Sequence, residues 1–140
     1  MGDWGVGMPT SLLLEEFGFQ VHAAFGDYPY LVGSVLKTTK WRDVDVRLIL
    51  DDDKYSTMGL GDPSNPHANL RWVAMTLAFS ALGKALTGLP VDFQIQQQTT
   101  ANSEFSIKGG HMRSALGITK TIALQSRFER AITGEADSQP

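Results

Sequence analysis

The chain has 140 residues, of which 42% are hydrophobic and 19% charged, so it can close around one core, and disorder of the whole chain is excluded. A formal net charge of −3 excludes a basic field over the whole surface, the kind that grips nucleic acid regardless of sequence, while leaving room for local basic patches. With no cysteine, disulfides, thiolate nucleophiles and Cys-bound zinc are excluded as well.

At the N-terminus, MGDWGVGMPTS lacks the basic segment and apolar run of a secretory signal. Val6 stands where a myristoylation motif requires Ser or Thr. No apolar run approaches the roughly 20 residues needed to span a bilayer. A cytoplasmic domain with no membrane partner is expected. Pro9-Thr10-Ser11 opens a first helix, because Thr and Ser hydroxyls can cap its amides. Leu14, Phe17, Val21, Ala24 and Phe25 recur at helical spacing, and Gly26 stops it. After the turn Asp27-Tyr28-Pro29, the run Tyr30-Leu31-Val32 predicts a short strand leading into Gly33-Ser34.

From Trp41 the period becomes two. Val44, Val46 and Leu48 share one face, and Asp43, Asp45 and Arg47 share the other, as in a strand with one buried side. The run Asp51-Asp52-Asp53 predicts a solvated turn, and residues 55–65 a loop. Ser64 or Asn65 then caps a second helix whose stripe includes Val73, Leu77, Leu82 and Leu86 and suits burial against a sheet. Gly88 and Pro90 end it. Val91, Phe93 and Ile95 alternate with Asp92, Gln94 and Gln96 in another strand. Residues 99–103 read as a turn, 105–107 as a short strand and Arg113 to Thr133 as a last helix. The expected fold is α/β (α+β): one domain over 1–133, a small mixed sheet flanked by helices, and a polar tail over 134–140 expected to be disordered.

Asp43, Asp45 and Asp92 all lie on polar strand faces. If their strands are neighbours, three carboxylates converge and repel, unless protonation or a divalent cation compensates. Mg²⁺ prefers such oxygen ligands and commonly shares them with substrate phosphates. Upstream, Gly33 allows close backbone approach to a phosphate, and Ser34 adds a hydroxyl. Lys37, Lys40 and Arg42 follow and can neutralise the remaining charge.

The order Val32-Gly33-Ser34, then Asp43-Val44-Asp45-Val46, then Val91-Asp92-Phe93 resembles the signature of the DNA polymerase β-like nucleotidyltransferase superfamily, in its minimal form, over about residues 30–96. The resemblance implies that Asp43 and Asp45 hold two metal ions (Mg²⁺ or Mn²⁺), and that Asp92 activates the acceptor hydroxyl. It also implies that Gly33 and Ser34 hold the β- and γ-phosphates of an NTP. The acceptor stays open among a protein, a small molecule and an RNA end, and a helical partner subunit or a homodimer is compatible with so short a chain. Two other readings stay open. One is a catalytically inactive nucleotide-binding or regulatory subunit, motivated by the segment Val35 to Arg42. The other is a small structural protein whose strands are acid-faced by chance. Carboxylates more than about 8 Å apart could not share a metal pair spaced at about 4 Å.

Overall fold

The computed structural model describes residues 8–32, 43–108 and 113–133. Helix α1 spans Met8–Phe25 and β1 spans Tyr30–Val32. Strand β2 (Val44–Leu50) is followed by the short helix α2 (Asp52–Thr57), a single 3₁₀ turn at Pro66–Ala68, and the long helix α3 (Leu70–Thr87). Then come β3 (Val91–Gln97), α4 (Gln98–Lys108), β4 (Arg113–Ala115) and α5 (Ile118–Thr133). This is the mixed α+β architecture expected: four strands in the order β3-β2-β1-β4, with β2 and β3 parallel and the other pairs antiparallel.

Alternation determines which strand faces are buried. Val44, Val46, Leu48 and Leu50 of β2, with Phe93 and Ile95 of β3, join Leu14, Phe17 and Val21 of α1 in one core. Parallel pairing of β2 and β3 requires a crossover, and α3 supplies it, packing on β3 and on α1. Asn69 caps α3, its side-chain oxygen accepting from Trp72 N–H at 2.9 Å, and Gly88 ends it in the left-handed conformation. The cap thus lies four residues beyond Asn65, which the sequence offers with Ser64 as the expected cap, because Pro66 initiates a separate 3₁₀ turn.

Several local expectations are corrected, among them that for residues 55–57, which belong to α2 and not to a loop. Asp51 does not sit in a solvated turn but caps α2, accepting from Lys54 N–H at 2.7 Å. Residues 99–103 and 105–107 are neither turn nor strand; both belong to α4. The Asp52 carboxylate accepts from the Thr99 amide at 3.1 Å and so satisfies an orphan donor at the start of that helix. Residues 113–115 form β4 rather than the first turn of a helix. The free edge of β1 takes these backbone groups, pairing Leu31 with Ser114, and Gly117 at φ +97 prevents the strand from running directly into α5.

Gly18 of α1 lies against that turn. A Cβ on Gly18 would stand 2.4 Å from the backbone carbon of Leu116, and one on Gly117 2.5 Å from the Phe19 nitrogen. Glu15 accepts the Gly117 N–H at 2.6 Å across the same contact. Neither backbone can yield alone, so Gly18→Ala should cost about 3 kcal/mol, read as a lower midpoint in urea unfolding. A cost under 1 kcal/mol would mean that α1 and the β4–α5 turn are not so closely seated.

Among the described residues, no helix is long and apolar enough to cross a membrane. The tail 134–140 lies outside the described residues.

Candidate active site on the open sheet face

The second residue of β2 and the second residue of β3 are register partners: Asp45 pairs with Asp92. Side chains of directly paired residues leave a sheet on the same side, so both carboxylates rise from the face opposite the core. The crossover, rather than either strand's own sequence, produces this placement. Asp43 immediately precedes β2, is exposed, and lies near enough to Asp45 for their charges to interact.

Arg47 lies between the two strands. Its Nη2 is 3.2 Å from Asp92 Oδ2 and 3.7 Å from Asp45 Oδ1, and its Nη1 donates to the Asp92 carbonyl at 2.7 Å. Both carboxylates touch one nitrogen, so those two oxygens are at most about 7 Å apart. That is inside the separation two metal-sharing carboxylates require.

Burial pushes the Asp45 carboxyl above the usual carboxylate range, and the neighbouring Asp92 and Asp43 push it the same way, against the Arg47 guanidinium. Three carboxylates against one guanidinium leave a surplus of negative charge. By kind these donors suit a divalent cation, since carboxylate oxygens are the hard ligands Mg²⁺ prefers, but as placed, no three acidic or histidine side chains among the described residues are grouped closely enough to hold one. Arg47 competes for one oxygen of each paired aspartate.

Gly33, Ser34, Lys37, Lys40 and Arg42 lie outside the described residues. The last described residue before them is informative all the same. Val32 ends β1 as the register partner of Asp45, so the chain leaves β1 beside the aspartate pair. On the other side, the Gln94 amide lies 3.4 Å from the Asp92 carboxylate. Beyond it a cavity of about 250 Å³ opens, lined by Gln94, Gln96, Gln97, Thr100 and Trp72. The Gln96 Oε1 is buried there with no partner among the described residues.

Asp62, His67 and Arg71, polar residues of the segment from the loop into α3, have structural duties. Asp62 accepts from the amide and hydroxyl of Ser64, and these bonds hold its carboxyl below the usual range. His67 meets the Trp72 ring edge-on at 4.9 Å, and Arg71 donates to the Met58 carbonyl at 2.8 Å. His111 lies outside the described residues. Arg47 is the residue sequence reasoning passed over. Alternation puts it on the acid face, and its position two residues after Asp45 was the available signal.

Arg47→Met should destabilise the chain by about 2 kcal/mol at neutral pH, the scale for hydrogen bonds to charged groups. It leaves burial and two like charges unopposed at Asp45, which raises that carboxyl further. A folded-state value above the unfolded one means that ionisation opposes folding, so the deficit is full above that value and shrinks as pH falls through it. Urea melts at pH 7 and pH 4 check this; an equal loss at both would assign Arg47 a packing role only.

Comparison of the chain with protein-family models, with curated proteins and with solved structures finds no match.

Proposed function

We propose that the chain is a metal-dependent nucleotidyltransferase that moves a nucleoside monophosphate from an NTP to an acceptor hydroxyl. The observation that carries this reading is the in-register Asp45–Asp92 pair beside the end of β1. In the reaction, the acceptor oxygen forms a bond to the α-phosphorus, the bond from that phosphorus to the bridging oxygen breaks, and pyrophosphate leaves. Asp92 receives the acceptor's proton. Asp43, Asp45 and Asp92 would hold Mg²⁺ or Mn²⁺, which supplies charge neutralisation for the triphosphate and acidifies the acceptor hydroxyl. Arg47 orients Asp92 through its carboxylate and its carbonyl together. The amides of Gln94 and Gln96 offer hydrogen-bonding partners to an acceptor lying along β3. The sequence pair Gly33-Ser34 would take the phosphates.

The Arg47 contacts favour one second reading: a regulatory subunit that binds nucleotide without transferring it, the guanidinium holding the carboxylates that a metal would otherwise take. Incubation of the full chain with α-labelled NTPs, Mg²⁺ and acceptors of the protein, small-molecule and RNA classes separates the two. Label on an acceptor supports the transferase. Calorimetric binding of NTP with Mg²⁺ but no transfer moves the assignment to the regulatory subunit, and absence of both overturns the two readings together.

A further inference from the structure

Helix α5 carries its apolar side chains on the side that faces away from the protein. At about 100° per residue, Ile118, Ile122, Leu124, Phe128 and Ile132 fall within one arc of about 160°. Thr119, Lys120 and Ala123 occupy the opposite side and line the groove against α1, where Lys120 pairs with Glu16. The five apolar residues are 39% to 68% exposed, and every residue from Ile122 to Ile132 is exposed. Among the described residues, nothing covers this stripe. Ordinary surface helices do the reverse and turn their apolar side inward.

Four of the five stripe residues are also symmetric about Gln125, the exception being Leu124, which mirrors Ser126. Ile118 and Ile132 lie seven residues to either side of it, and Ile122 and Phe128 lie three. A two-fold interface must be self-complementary, each residue meeting the partner that in turn meets it. A two-fold axis through Gln125, perpendicular to the helix, meets that requirement. It sets Ile118 against the other copy's Ile132, Ile122 against Phe128, and Gln125 against itself, where two side-chain amides can exchange hydrogen bonds. Antiparallel pairing also opposes the two helix dipoles favourably.

The area is adequate. The five exposed side chains offer roughly 500 Å² per copy, so burying both sets removes about 1,000 Å² from water, the threshold for a specific interface, before the polar flanks are counted. We infer that the outward face of α5 is the interface of an antiparallel homodimer, centred on Gln125 and formed with a second copy of this chain.

Light scattering on the full chain over a range of concentrations should give twice the monomer mass at micromolar levels. Phe128→Glu sets a charge against the partner's Ile122 and should weaken association at least about 100-fold. Phe128 is exposed in the isolated chain, so that variant keeps its circular dichroism. The chain has no cysteine, so introduced ones report cleanly. Under mild oxidation, Gln125→Cys should cross-link to itself and Arg127→Cys, on the opposite side of α5, should not. Ile118→Cys should cross-link with Ile132→Cys in a mixture and neither with itself. A monomer at all concentrations would overturn the inference, whether the stripe is then left bare or covered by another protein or by this chain's own terminus. So would a dimer that survives Phe128→Glu, or one in which Ile118→Cys cross-links to itself, the mark of a parallel pair.

Discussion

On the proposed transferase reading, Asp45→Asn and Asp92→Asn should each abolish nucleotidyl transfer, with a loss of about 10³-fold or more, while the chain stays folded. A group that takes a proton in the transition state typically contributes 10² to 10⁴ in rate. A 10³-fold loss corresponds to about 4 kcal/mol of transition-state stabilisation. The two variants should part company in stability. Asp45 is held against burial and two like charges, with only partial relief from Arg47. Its amide isostere removes that opposition, so Asp45→Asn should be as stable as the parent or more so at neutral pH. Because the folded-state carboxyl titrates above the unfolded one, the advantage should be present at high pH and vanish as pH falls through the folded-state value, where the parent protonates. Asp92→Asn breaks the 3.2 Å ion pair with Arg47 and should cost stability instead. Transfer assays paired with urea melts decide this. An Asp45→Asn protein with parental transfer activity would remove the carboxylate from the mechanism, and one that lost stability at neutral pH would show Arg47 outweighing the opposing charges.

Phe93→Ala should be the most damaging core substitution, costing 3–5 kcal/mol by the usual scale for emptying a buried aromatic site. Phe93 is fully buried on β3, next to Asp92 in the chain but on the opposite sheet face. Its ring meets Phe17 edge-on at 6.0 Å, Phe79 at 5.5 Å and Phe25 at 6.4 Å, so it joins α1, α3 and the sheet at one point. Its backbone N–H donates to the Ser80 hydroxyl at 3.0 Å, so a collapsing cavity would also strain the tie between β3 and α3. For a domain of this size the thermal midpoint should fall by roughly 10 to 15 °C. Circular dichroism melts measure it. A drop of only a few degrees would mean that the four rings tolerate repacking and that β3 is held mainly by its hydrogen bonds. Leu77→Ala on α3 is the control, since that side chain is exposed and leaves no cavity.

What the sequence alone determined is the part governed by local periodicity. Two-residue alternation assigned Val44, Val46 and Leu48 to the core and put Asp45 and Arg47 together on the other side, because a strand's pleat leaves no other arrangement. Helical spacing in α1 did the same for Leu14, Phe17 and Val21; in α3 it succeeded only in part, since Val73, Leu82 and Leu86 pack on the core while Leu77 of the same expected stripe is exposed. The acid pattern, too, was legible as an order of residues along the chain.

Only the tertiary structure decided what those faces meet. Asp45 pairs with Asp92 because a long crossover returns β3 parallel to β2 in that register, and no local signal sets a register across more than forty residues. Strand β4 exists because β1 has an unpaired edge for three residues to join; by propensity alone the same residues extend a helix. The outward side of α5 has the same origin. Nothing local in the sequence says which way its apolar residues face, and the packing of Thr119, Lys120 and Ala123 on α1 turns them away from the core. Propensity acts within a few residues, whereas a sheet edge or a helix face is allotted only when every element competes for the same core.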